Sequence, residues 1–360
     1  MGLSIHIEKR YEGFSLKADL EHPGGITGFL GASGCGKSTA LKCIAGIEKP
    51  DRGRIALNGR VLFDSERGIS LKPQERRVGY LFQNYALFPN MTVLENIACG
   101  LNRIRDRKER RRLAGEAIEQ MELGGQAELL PHQLSGGQQQ RTALARMLVS
   151  EPEVLLLDEP FSALDAFLRE QMQTQVSRIL REYGKDVILV SHNRDELYYM
   201  CDRLAVMHEG RILTYGLVKE VFADPGTVTA ATLTGCKNIA AARKTGEQEV
   251  FVPDWGVALK TGKPIGEGLM AVGIRAHYFH PSARDNLFPV EMTGRREEPF
   301  ENRIMFRFLS QKPGTRDLWW RVPKDRTPGK MPEKLGIAPQ NILLLYGNEE
   351  KTEDKDKEKT

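Results

Sequence analysis

Nine residues near the N-terminus constrain this chain more than any other stretch. Gly31-Ala32-Ser33-Gly34-Cys35-Gly36-Lys37-Ser38-Thr39 fits the phosphate-binding pattern G-x-x-x-x-G-K-[ST] at every fixed position. Before it, Ile26-Thr27-Gly28-Phe29-Leu30 reads as a buried strand; behind it, Ser38 to Ala45 reads as a helix. That strand–loop–helix order is the context the pattern requires. The glycines let successive backbone N–H groups turn inward around phosphate oxygens, and the helix N-terminus adds a partial positive charge. Lys37 is placed to reach the β- and γ-phosphates and Ser38 to ligate Mg²⁺. The loop predicts binding of a nucleotide.

The chain has 360 residues, room for two domains. At 40% hydrophobic and 28% charged it has the composition of a soluble globular protein, and a formal net charge of +4 is too small to imply a nucleic-acid partner. No apolar run approaches the ~20 residues of a membrane-spanning helix, and the N-terminus shows no signal-peptide pattern. The cysteines Cys35, Cys43, Cys99, Cys201 and Cys236 are scattered and lack C-x-x-C spacing, which fits reduced thiols in a cytoplasmic protein. Cys35, inside the loop, is open to two readings, a small filler or an oxidation-sensitive thiol.

The opening residues alternate, with Leu3, Ile5, Ile7, Phe14, Leu16 and Ala18 on one face of an expected antiparallel hairpin. Tyr11 lies near its turn, where it could pack or stack on a base. Arg54–Leu57 and Arg60–Phe63 flank Asn58-Gly59, the favoured two-residue hairpin turn. Val78–Phe82 reads as a strand that delivers Gln83 to a loop. Helical patterns at 92–100 and 108–121 predict a mainly helical insert over about 88–150. Within it, Ser135 is a candidate N-cap, and Gly136 and Gly137 leave backbone amides uncovered, so Ser135-Gly136-Gly137-Gln138 reads as a second anion site.

Val154–Leu157 is apolar without alternation, as in a strand covered on both faces, and it ends in Asp158-Glu159. Ligands of open α/β sheets bind at that edge. Asp158 would hold Mg²⁺, while Glu159 would orient or deprotonate an attacking water. Ser162–Asp165 leads into a further helix; Val187–Val190 is another buried strand, and it brings His192 to the same edge for a γ-phosphate contact.

Taken together, these residues resemble the ATP-binding cassette (ABC) ATPases over roughly residues 1–230. Tyr11 matches the adenine-stacking aromatic, Gly31–Thr39 the Walker A loop, Gln83 the Q-loop and Leu134–Arg141 the family signature. Asp158 matches Walker B, Glu159 the catalytic glutamate, Ser162–Asp165 the D-loop and His192 the switch histidine. The resemblance implies an α/β P-loop NTPase with a parallel core sheet, an antiparallel β subdomain and a helical subdomain. It implies ATP and Mg²⁺ as cofactors, with Ser38, Gln83 and Asp158 at the metal and Glu159, His192 and Gln83 in catalysis. It also implies a head-to-tail homodimer in which Ser135 and Gly137 of one copy face the ATP held by the other, with Gly136, Gln138 and Asp165 also among the nucleotide-binding residues. The expected domains are residues 1–233 for the nucleotide-binding domain, 234–245 for a linker and 246–346 for a β-rich regulatory or dimerisation domain resembling a small β-barrel. Residues 347–360 are expected to be a disordered charged tail.

A finer similarity runs to the ATPase subunits of molybdate importers, with sulfate importers close by. It rests on Asn58–Asp64, Gly68–Leu71, Arg76–Gln83, Leu87–Pro89 and Thr234–Asn238. Val272–Arg275 is similar to the regulatory β-domain of importer ATPases, whereas Ser282–Asn286 matches an oxyanion-binding motif only loosely. The expectation is an ATPase on the cytoplasmic face of the membrane that energises oxyanion import, molybdate foremost. Its partners would be permease subunits and, indirectly, a solute-binding protein. The alternatives are a sulfate, sugar or polyamine importer, and more distantly a soluble non-transport ATPase.

Overall fold

The structure, a computed structural model, describes residues 2–347. It separates into two compact units, Met1–Val218 and Lys219–Thr360. The first begins with β1 (Leu3–Tyr11), β2 (Phe14–His22), β3 (Ile26–Leu30), α1 (Lys37–Ala45), β4 (Arg52–Leu57), β5 (Arg60–Asp64), β6 (Ile69–Ser70) and β7 (Val78–Leu81). It continues through α2 (Val93–Ala98), α3 (Arg107–Gln120), α4 (Gly136–Leu148), β8 (Val154–Asp158), α5 (Ala166–Tyr183), β9 (Asp186–Ser191), α6 (Arg194–Met200), β10 (Arg203–His208) and β11 (Arg211–Leu217).

These strands form one sheet of order β6-β5-β4-β1-β2-β11-β10-β3-β9-β8-β7. From β10 to β7 every pairing is parallel. From β6 to β2 every pairing is antiparallel. The expected parallel core and antiparallel subdomain are therefore two arms of a single sheet, joined where Arg211 of β11 pairs with Lys17 of β2. All of β3 and β8 is buried, as their unbroken apolar sequences require, while β2 alternates between buried and exposed residues. Asn58 and Gly59 both take positive φ, 50° and 81°, the geometry of a type I′ turn. A helical layer of α2, α3 and α4 packs Val93, Ile97, Ile118, Leu123 and Leu134 within the span expected to be helical. The α1 C-terminus closes on Gly46 at φ 77°, and the buried Arg76 guanidinium donates to the Cys43 and Ile44 carbonyls, both at 2.8 Å.

The second unit holds α7 (Val218–Ala223, which starts at the division), α8 (Val228–Leu233), β12 (Asn238–Ala241), β13 (Arg243–Gly246), β14 (Glu249–Val252) and β15 (Val257–Lys260). It goes on with β16 (Leu269–Ile274), β17 (Phe288–Glu297), β18 (Glu301–Phe308), β19 (Leu318–Pro323), β20 (Lys334–Leu335) and β21 (Ile342–Tyr346). Three small sheets, β12-β16-β21, β13-β14-β15 and β19-β18-β17-β20, surround a core that includes Phe279, Phe306, Phe308 and Trp320. The stretch 234–245, read above as a linker, contains β12 and the start of β13. Buried Asn238 explains the order there: its amide donates to the Ile274 and Trp319 carbonyls and accepts from the Trp319 N–H at 2.7 Å. The charged tail lies outside the described residues, apart from Gly347.

Candidate nucleotide site

The phosphate loop sits between the C-terminal end of β3 and the start of α1. Gly34 and Gly36 hold φ of 79° and 106°, and Gly36 is the residue from which α1 departs. Gly31 is required for space, since a Cβ there would lie 2.4 Å from the Cys35 sulfur and 2.6 Å from the Met207 carbonyl oxygen. Lys37 is buried, and its ammonium donates to the Gly31 and Ala32 carbonyls at 2.8 and 2.9 Å, so its charge is held over the loop. Cys35 is a buried free thiol, and its sulfur lies 3.8 Å from the Lys37 nitrogen. Ser33 and Thr39 stay on the same loop and helix, the Thr39 side chain facing Tyr11.

Ser38 donates to Asp158 Oδ1 at 2.7 Å. This joins the first turn of α1 to the end of β8 and gathers a hydroxyl and a carboxylate, the hard oxygen donors Mg²⁺ takes alongside substrate phosphate. The second carboxylate oxygen accepts from the Tyr80 hydroxyl at 2.9 Å, a contact the sequence reading missed. Burial and the Asp158 charge push the Tyr80 pKa far up, so its hydroxyl is a permanent donor.

One residue further, Glu159 leaves the strand with φ 47°, its N–H donating to the Val190 carbonyl at 3.0 Å. Its carboxylate lies 3.4 Å from His192 Nδ1 and 3.5 Å from the Gln83 amide nitrogen. The three residues read separately as catalytic thus meet at one point. Gln83 is followed by Tyr85 and Ala86, both at positive φ, whose carbonyls accept from the Arg146 guanidinium of α4 at 2.9 and 2.8 Å. Arg146 therefore joins the Gln83 loop to α4, the helix that starts at Ser135–Gln138.

Tyr11 keeps 42% of its surface exposed; its hydroxyl donates to Glu48 beside Thr39, leaving a ring at the edge of the loop. Ser135 caps α4, accepting from the Gln138 N–H at 3.3 Å while the Gln138 side chain accepts from the Ser135 N–H at 2.8 Å. Gly136 and Gly137 face Leu164 and Met172, where a Cβ would stand at 3.1 and 3.3 Å. Asp165 caps α5 through the Leu168 N–H at 3.0 Å. Among the described residues, no hydrogen bond or ion pair joins Ser135–Gln138 to Gly31–Thr39 of the same chain. A cavity of about 700 Å³ lies elsewhere, lined by residues of α3, α4 and α5.

The family description "ABC transporter" matches residues 16–162. The chain is 48% identical over 214 residues to the spermidine/putrescine import ATP-binding protein PotA of Acidothermus cellulolyticus, covering 59% of this chain and 54% of that protein. It is 40% identical to PotA of Oleidesulfovibrio alaskensis, covering 70% and 69%, and 40% identical to the Fe(3+) ions import ATP-binding protein FbpC of Brucella abortus, covering 65% and 66%. The chain thus spans little more than half the length of the first of these relatives. Among solved structures it is similar to a dimeric ATP-binding cassette in a post-hydrolysis state bound to ADP and Pi, at TM-score 0.52 and 28% identity, covering 60% of this chain and 98% of that one. No helix among the described residues is long and apolar enough to cross a membrane. With 40% identity across 69% of an import ATP-binding protein and the family pattern over its phosphate loop, this chain belongs to the ABC transporter ATP-binding family.

Proposed function

We propose that this chain hydrolyses ATP to power an importer. The observation that carries the reading is the meeting of Glu159, His192 and Gln83 one residue beyond the Ser38–Asp158 pair. Lys37 and the loop amides bind the β- and γ-phosphates, and Tyr11 offers its exposed ring to adenine. Ser38 and Asp158, with Gln83, are the residues that would hold Mg²⁺, which when bound neutralises phosphate charge. Glu159 orients water and accepts its proton, and His192 and Gln83 fix the carboxylate and face the γ-phosphate. Two copies arranged head to tail would set the Ser135–Gln138 helix start of one against the phosphates held by the other, and opening of that dimer after hydrolysis would drive the membrane subunits.

The expected molybdate cargo finds no support in the names of the relatives, which are polyamine and iron importers. Those names favour the polyamine alternative, so we assign spermidine or putrescine as the cargo, with selection made mainly by the permease and the solute-binding protein. Glu159→Gln should retain ATP binding and lower turnover by about 10²–10⁴-fold. Unchanged turnover would refute the assigned role. Reconstituted with its membrane partners, the ATPase should be stimulated by polyamine and not by Fe³⁺, molybdate or sulfate. Stimulation by another of these solutes would overturn the cargo alone.

A further inference from the structure

Behind Glu159 lies a small polar chamber that this scheme leaves unused. It has a volume of about 40 Å³, and its lining includes Glu159, Ser162, Arg169, Ser191, His192 and Glu196. Glu196, in the first turn of α6, is 5% exposed, and its Oε1 has no hydrogen-bond partner within the chain. Arg169 of α5 donates from Nη2 to the Leu164 carbonyl at 2.9 Å, yet its buried Nε is also without a partner. A buried acceptor and a buried charged donor left unmade are each costly, and a polar cavity of this volume has room for a bridging water.

The connections on either side give the pair a role. Asn193 caps α6 by accepting from the Asp195 and Glu196 N–H groups, and its own N–H donates to Ser191 Oγ at 3.0 Å, so Glu196 is rigidly tied to the His192 loop. On the other side, Leu164 closes a turn on Phe161, and Ser162 donates to the Glu159 carbonyl at 2.9 Å. We propose that Glu196 is a positioning residue for ATP hydrolysis: through water it completes Arg169, and the pair braces the His192 loop against the Ser162–Asp165 turn so that Glu159 is held in place. This rests on the hydrolysis reading above.

The brace is strongest when Glu196 is ionised, because a charged acceptor roughly doubles such a bond. Burial pushes the carboxyl up to about 7, opposed by Ser191 and Arg169 and reinforced by the Glu159 charge. The titratable and charged groups around it are Glu159 from the end of β8, Arg169 from α5, His192 from the end of β9, and Cys201, whose thiol burial pushes up. The neighbouring strand β3 carries no ionisable side chain.

The test is the pH dependence of kcat and KM for MgATP hydrolysis by the full chain with its membrane partners. The wild type should show a limb in kcat that rises through about pH 7 with little change in KM. Glu196→Gln should remove that limb and lower kcat at alkaline pH about tenfold, the rate equivalent of one charge-assisted bond. Arg169→Gln, which leaves the Glu196 charge without its counter-ion, should move the limb to higher pH. Thermal melting with and without ATP identifies a variant that fails to fold; if Glu196→Gln fails, the limb position in Arg169→Gln decides. A Glu196→Gln profile superimposable on the wild type, or a limb unmoved in Arg169→Gln, overturns the proposal. Wild-type and Glu159→Gln proteins of equal turnover would instead overturn the hydrolysis reading.

Discussion

Tyr80→Phe is the most direct test of how Asp158 is held. The substitution removes one oxygen and keeps the ring, which stacks at 4.5 Å, tilted, against Phe82. What is lost is a hydrogen bond of 2.9 Å to a carboxylate that is 8% exposed, leaving only the 2.7 Å bond from Ser38 to orient it. Hydrogen bonds to charged groups contribute about 1.5–3 kcal/mol, and that much stability should disappear. In the proposed role Ser38 would turn to the metal, leaving Tyr80 as the contact that keeps Asp158 aimed while phosphate binds. Loss of such an outer partner typically costs about 10–100-fold in metal affinity or activity. Two measurements follow: urea unfolding by circular dichroism, and the Mg²⁺ concentration giving half-maximal ATP hydrolysis. A midpoint shifted upward about tenfold or more supports the reasoning. A wild-type Mg²⁺ midpoint, or tighter Mg²⁺ dependence from a more basic carboxylate, would refute it.

Further expectations concern other parts of the molecule. Tyr11→Ala should raise KM for ATP about tenfold, since base–aromatic stacking is worth about 1–3 kcal/mol; an unchanged KM removes Tyr11 from the adenine site. All the tryptophans, Trp255, Trp319 and Trp320, lie in the second unit, so their fluorescence reports its unfolding alone. Asn238→Ala strands the Trp319 N–H and two carbonyls and should lower the stability read that way by about 2–4 kcal/mol. Glu196, with its carboxyl raised from 4.5 to about 7, binds a proton in the folded chain that the unfolded chain releases. Its contribution is therefore complete below pH 4.5 and lost as pH rises through about 7, a fall of about 3 kcal/mol that Glu196→Gln should flatten in urea titrations at several pH values.

What the sequence conveyed depended on how local each signal is. The phosphate loop, the Asn58-Gly59 turn and the Ser135 cap are written in adjacent residues, and the unbroken apolar runs of β3 and β8 announce strands covered on both faces. Tyr80 was invisible as a site residue because its role comes from the parallel pairing of β7 with β8, which sets Tyr80 opposite Leu156 and within reach of Asp158. Only a residue near the end of an apolar strand carrying a hydroxyl hinted at it. Glu196 was hidden differently: an acidic residue in the first turn of a helix reads as a solvated partner of the helix dipole, and nothing local says that α5 covers it. Asn238 lies in a Thr-Gly-Cys-Lys-Asn stretch that looks like a connection, and its side-chain bonds to strands far along the chain make it part of a core.

The backbone at Glu159 determines where this carboxylate points. A glutamate at φ 47° is held in a region that non-glycine residues avoid, at a cost on the order of 1 kcal/mol. The surroundings over-determine it: its N–H is tied to Val190, its carbonyl accepts from Ser162, and Pro160 follows directly. A relaxed strand end would continue the β8 direction and carry the side chain on past the sheet edge. The left-handed turn instead faces the carboxylate back toward His192 and Gln83, each on a different segment. Strain retained at a position where glycine would relieve it argues that the direction of this one side chain is what the local structure serves. That is the requirement a general base imposes, since it must reach a water at hydrogen-bond distance before its basicity can matter.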